Sequence, residues 1–204
     1  MAMVTRRIAL LGGLLASGFR VSPAAAGGAT PRAAIESFYA VLLEVMKQAT
    51  SLGFEGRYRR LQPAIEAAFN LPLMIRLAVG PQWNALSGDQ QARLLEAFRR
   101  FTIATYASRF DGYDGERFEI RGESPSPSGG TLVETRVVPQ TGDIVDLNYL
   151  MRQGEGGWQI IDVFLSGTIS ELATRRAEFT AVLRRDGADG LVAMLQSKAS
   201  PGAR

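Results

Sequence analysis

A chain of 204 residues, 46% hydrophobic and 21% charged, has the length and balance of one globular body with a sizeable core, which excludes disorder and collagen-like structure. It contains no cysteine and no histidine, so disulfides, thiolate nucleophiles, serine–histidine triads, histidine-ligated haem and the usual zinc sites are excluded. The basic pI of about 9.6 originates in residues 1–26, which hold Arg6, Arg7 and Arg20 and no acid; the remainder carries 20 basic and 20 acidic side chains, removing the electrostatic case for nucleic acid.

Residues 1–26 have the layout of a cleaved secretory signal: a basic start, an apolar stretch from Ile8 to Phe19 too short to span a bilayer, then Ala24, Ala25 and Ala26. Thr5-Arg6-Arg7 followed by Ile8 and Leu10 also resembles a twin-arginine export signal, so either Sec or twin-arginine export leads to a periplasmic location. No cysteine marks a lipid anchor, and no later apolar run is long enough for a membrane span. Residues 27–204 are expected to form a single domain. It divides into a helical half over about 30–111, a sheet over about 116–166 and C-terminal helices over about 169–198.

In that domain, Thr30 is a suitable N-cap with Pro31 at the first helical position, and Ile35, Phe38, Leu42, Val45 and Met46 recur at helical spacing, predicting a helix over 31–49. Tyr58, Leu61, Ile65 and Phe69 predict a second helix after Gly53 and Gly56, bent or restarted near Pro63. Leu73 to Val79 reads as a buried helical turn or two. Ser87 and Gln90 form a capping box ahead of the longest helix, whose apolar face holds Leu94, Phe98, Phe101 and Thr105, widened by Leu95, Tyr106 and Phe110.

Four strand-like runs follow, Arg117–Glu123, Leu132–Pro139, Ile144–Gln153 and Trp158–Ser166, with connections short enough to imply an antiparallel meander. Alternation puts Val145, Leu147, Tyr149 and Met151 on one side of the third run and Ile161, Val163 and Leu165 on one side of the fourth. Thr168 and Glu171 suggest a second capping box, opening a helix that runs to Asp186-Gly187, and a last short helix carries Leu191, Val192 and Leu195.

The expected fold is therefore α+β, a curved four-stranded antiparallel sheet shaped like a cone and covered by about six or seven helices. The facing surfaces hold more apolar side chain than a thin helix-on-sheet contact needs. Leu73, Met74, Leu77, Phe98, Phe101, Tyr106, Phe110, Leu147, Tyr149, Met151, Ile161, Val163 and Leu165 either line a cavity at the wide end of the cone or form ordinary core. Asp162 is the one acid on an apolar strand; it acts as a general base, or it pairs with an arginine or with free backbone N–H groups where the next helix begins. Arg99-Arg100 and Arg175-Arg176 are solvated helix faces or a docking surface for anionic headgroups or an acidic partner.

The C-terminal pattern Gly157-Trp158-x-Ile160-x-Asp162-Val163, with Gly167, Ser170, Glu178-Phe179, Leu183-Arg184-x-x-Gly187-x-Asp189-Gly190-Leu191 and Leu195, resembles the MlaC family of periplasmic phospholipid-binding proteins. Leu77-Ala78-Val79-Gly80 with Trp83, then Gln90, Phe98 and Tyr106-Ala107, agrees more loosely. One extra residue between Asp162 and Ser170 is closer to the hopanoid-associated HpnM branch of that family. The resemblance implies a lipid carrier without cofactor, metal or catalysis, working between an inner-membrane ABC transporter and an outer-membrane partner, with a hopanoid or a phospholipid as cargo. An NTF2-like enzyme using Asp162 as base, and a ligand-free adaptor of a membrane complex, are the alternatives.

Overall fold

A computed structural model describes residues 30–200, so the signal-like segment 1–26 lies outside the described residues. Helix α1 (Pro31–Lys47) starts as its sequence suggests, with the Thr30 side chain accepting the Ala33 N–H. α2 (Ala49–Ala68) breaks at Gly53, whose φ of 59° and ψ of −176° belong to no helix; Pro63, where the bend was expected, sits inside the helical span. The difference is physical: Pro63 gives up one N–H, whereas Gly53 reaches a positive φ that a side chain disfavours. The buried Arg57 then ties this helix down, donating to the carbonyls of Ala49 and Ala107.

α3 (Leu71–Val79) is capped by Asn70, and a 3₁₀ turn (Gly80–Ala85) joins it to α4 (Gly88–Arg109), which opens with the reciprocal Ser87–Gln90 capping box. The strands are β1 (Arg117–Pro125), β2 (Thr131–Val138), β3 (Val145–Gly154), β4 (Gly157–Leu165) and β5 (Ile169–Ser170), paired antiparallel in sequence order. The sheet thus has five strands rather than four. The added strand is two residues long and pairs Ser170 and Ile169 with Phe164 and Leu165, too short to show as an alternating run.

α5 (Glu171–Lys198) contains the two C-terminal helices expected, joined across a kink at Gly187, where φ is 68° and ψ −168°. Its cap is Ser170, which accepts the Ala173 N–H, and not Thr168. Among the described residues five continuous α-helical spans and one 3₁₀ turn stand against the six or seven helices expected, a difference that arises because α2 and α5 each join two helices across a glycine kink.

Beyond the reach of β5, the free edge of β4 is occupied by the α2–α3 junction. Phe69 makes a parallel bridge to Ile160, the Asn70 N–H donates to the Ile160 carbonyl at 2.9 Å, and the Asn70 and Gln159 side chains bond at 3.2 Å. This seam lays the helices on one face of the sheet. One contiguous core results, running from Ile35 and Leu42 in α1 through Phe69, Phe98 and Tyr149 to Phe179 and Leu195 in α5.

Candidate functional site

Between the sheet and the helices lies a cavity of about 290 Å³. The sheet contributes Val137, Val145, Leu147, Val163 and Leu165; the helices contribute Phe69, Met74, Phe98, Thr102, Thr105, Tyr106 and Phe110. The two threonine hydroxyls donate to the carbonyls of Phe98 and Phe101 in their own helix, so both are internally satisfied and present little polarity to the void. Charge enters the lining only through Arg109, Glu171 and Arg175. Of the lining residues Val145 is 48% exposed, and Ile144 beside it in the chain and Ile169, paired with Leu165, are exposed at 51% and 56%.

Of the residues that alternation and helical spacing brought together, Met74, Phe98, Tyr106, Phe110, Leu147, Val163 and Leu165 line this cavity. Leu73 is half-buried and Leu77 is 36% exposed, both outside the lining. Phe101 faces a neighbouring depression, where the Arg175 guanidinium stacks 4.5 Å from its ring. Tyr149 and Met151 are fully buried core, and Ile161 is buried as the extra residue of a β-bulge in β4. At that bulge Leu150 pairs with Asp162 but Met151 pairs with Ile160, so strict alternation fails there and the side chains are re-aimed.

A second hollow, of about 670 Å³, opens between α1 and α2 over Ala34, Val41, Pro63, Ala64, Ala67 and Ala68. Phe38 backs it and packs edge-on against Phe69 and Tyr106, which line the first cavity. A wall of aromatic rings therefore separates the two spaces.

Beside that wall three phenols meet. Tyr39 bonds Thr135 at 2.6 Å, and Thr135 donates onward to the Leu147 carbonyl. Among the described residues the Tyr149 hydroxyl is fully buried and makes no hydrogen bond, with the Tyr39 and Tyr106 phenols beside it. Burial pushes the Tyr39 phenol up to about 12, against the lowering pull of its bond to Thr135, and pushes Tyr106 and Tyr149 up as well. These groups favour their neutral forms, so the stability they contribute is complete below the ordinary tyrosine value near 10 and is lost as pH rises through the folded-state values. Since an unpartnered buried hydroxyl costs about 1–3 kcal/mol, Tyr149→Phe is expected to hold or raise the melting temperature at neutral pH and to remove one phenol from the high-pH titration. A clear fall in melting temperature would mean that the hydroxyl has a partner.

Asp162 is 7% exposed and stands outside the lining of the sheet–helix cavity. Its carboxylate accepts the N–H of Val163 at 2.8 Å, the N–H of Leu172 at 3.0 Å and the Ser170 hydroxyl at 2.6 Å. Of the two roles considered for it, the geometry matches the clamp at the start of the next helix. Among the described residues no cluster of acids is suited to a metal ion, and no helix is long and apolar enough to cross a membrane.

The four arginines separate. Arg99 and Arg100 grip Glu96, holding its carboxyl down to about 2, and Arg99 also reaches Glu66 at 2.5 Å. Arg176 is exposed, with its guanidinium beside Gly80. Arg175 is largely buried against Glu171, and burial draws its guanidinium below the usual value. It belongs to the cavity, not to an outer face. Sequence patterns also missed Arg109 and Glu171, since a charge at a helix end looks the same whether it faces water or a cavity mouth.

A family model described as MlaC protein matches residues 36–197. Among solved structures, a phospholipid-binding protein from Ralstonia solanacearum, in complex with a phospholipid, aligns with a TM-score of 0.71 at 19% identity, covering 81% of this chain and 94% of that one. At that identity the likeness bears on the fold.

Proposed function

The chain belongs to the MlaC family, and from that premise we propose that it is a lipid carrier, with acyl chain held in the sheet–helix cavity and the head left at its mouth. The observation that carries this reading is the distribution of polarity: apolar walls, internally bonded threonines, and charge confined to Arg109, Glu171 and Arg175. The relative from Ralstonia solanacearum, described with a bound phospholipid, supports a cargo of that class.

Magnitudes indicate what the cavity has to do. At about 30 Å³ for a water-sized unit, similar to a methylene, 290 Å³ accommodates roughly ten methylenes. At about 0.8 kcal/mol each their transfer from water is worth ~8 kcal/mol. Two chains totalling roughly 30 methylenes would need ~24 kcal/mol on the same scale, so a whole phospholipid requires the cavity to widen. A flexible chain can enter a narrow void in part, whereas a fused-ring hopanoid needs a slot of its full width. The present cavity thus favours an acyl lipid, while the extra residue before Ser170 is what speaks for the hopanoid branch.

A carrier needs no catalytic group, in keeping with Asp162 serving as a clamp. The signal-like start fits a periplasmic site of action, and the family resemblance suggests delivery between an ABC transport complex and an outer-membrane partner. The deciding experiment is native mass spectrometry and solvent extraction of the mature chain purified from its own host. A co-purifying lipid is expected. Protein that emerges lipid-free and acquires none from vesicles would overturn the reading.

A further inference from the structure

The only charged residues lining the cavity do not cancel. Arg175 donates to Glu171 at 2.9 Å and lies over the Phe101 ring, so it is held in place and paired. Arg109, one turn beyond Thr105 on α4, also lines the cavity, and no carboxylate lies within ion-pair distance of it among the described residues. Arg109, Arg175 and Lys198 together line the adjoining depression of about 470 Å³, and Lys198 is itself paired with Glu178 at 2.6 Å. One positive charge is therefore left over where an apolar cavity meets solvent.

Resting on the carrier reading above, we propose that Arg109 and Arg175 form a head-group site that selects a lipid bearing an anionic phosphate. Guanidinium groups offer paired N–H donors whose spacing matches the oxygens of a phosphate. A phosphate between the two arginines also relieves their mutual repulsion, which now acts on Arg175 alongside its burial. The neighbouring apolar lining makes the ligand an amphiphile and not a free anion: the chain fills the void while the head meets the arginines. On the sheet side the lining is wholly apolar, through Val137, Val145, Leu147, Val163 and Leu165, which leaves the arginine side as the place for a charged head. Selection by head charge would separate phospholipids from neutral lipids that the cavity alone cannot tell apart.

The test offers the full mature chain vesicles of phosphatidylcholine doped equally with phosphatidylglycerol and with a diacylglycerol of identical chains, and measures the protein-bound lipids by mass spectrometry. Phosphatidylglycerol is expected to exceed diacylglycerol by about tenfold, and the preference to shrink as salt is raised. Arg109→Glu, at an exposed position that leaves the core intact, is expected to lower the ratio of phosphatidylglycerol to diacylglycerol taken up by about tenfold. Arg175→Lys keeps the charge but loses the fork, and should weaken the preference less. Equal uptake of the two lipids by the unmodified chain, or a preference that survives Arg109→Glu, overturns the head-group site and leaves the carrier reading standing. No uptake of any lipid overturns both.

Discussion

Val163→Trp is expected to yield a folded protein that carries no more than about a tenth of the normal lipid. Val163 sits at the centre of β4 with its side chain in the cavity lining, and an indole placed there fills space otherwise available to acyl chain. If the cavity contributes ~8 kcal/mol of methylene transfer, excluding even two of roughly ten methylenes removes ~1.6 kcal/mol, slightly more than a factor of ten. The plug adds apolar contact inside an apolar void, so the melting temperature should change by only a few degrees. Val163→Asp should also empty the cavity, because a carboxylate among methylenes draws in water or costs several kcal/mol, but it should lower stability as well. Leu77→Arg is the control: Leu77 is exposed and outside the lining, so lipid content should not change. Lipid-to-protein ratio after extraction, with circular dichroism as the folding check, reads all three. Full lipid in Val163→Trp would exclude this cavity as the binding place.

That Leu77 serves as a control shows where pattern reading stops. Strand order, turn positions and the Ser87 capping box are local properties, and each was legible because the residues that make them are neighbours in sequence. The cavity list was partly legible for the same reason: Leu147, Val163 and Leu165 share a face by simple alternation, and Phe98 and Tyr106 lie on one side of a helix. The list then overreached at Tyr149 and Met151, which share the alternating face of Leu147 but lie fully buried in the core, and at Ile161, the extra residue of a bulge in β4. α3 lies almost wholly in apolar sequence, so nothing local distinguishes Met74, on the cavity, from Leu77, toward solvent. The seam between Asn70 and Ile160 spans 90 positions of sequence and determines which face of α3 turns inward. The charged mouth needed the same long-range information, since Arg109 ends one helix and Arg175 begins another.

Asp162→Ala is expected to cost about 3–5 kcal/mol, through the buried Val163 N–H, the part-buried Leu172 N–H and the Ser170 hydroxyl left without their acceptor, each worth roughly 1–3 kcal/mol before partial relief by water. For a chain of this size that is a fall in melting temperature of roughly 6–20 °C. Asp162→Asn should fall between Asp162→Ala and the unmodified chain. Its amide oxygen can still accept from Val163 and Leu172, but its amide nitrogen faces the Ser170 hydroxyl as a second donor. That hydroxyl at present donates to Asp162 while accepting the Ala173 N–H, so it would have to turn its proton elsewhere. The consequence reaches the cavity mouth without passing through the cavity. Ser170 caps α5, and the first turns of α5 carry Glu171 and Arg175, two of the three charged lining residues. If the carboxylate is a clamp, Asp162→Ala should loosen that end of α5, shorten the retention of bound lipid and lower the melting temperature together. Asp162→Asn should preserve retention at a modest cost in stability. An unchanged melting temperature in Asp162→Ala would refute the clamp, and a lipid conversion abolished by Asp162→Asn in a fully stable protein would restore the enzyme reading in its place.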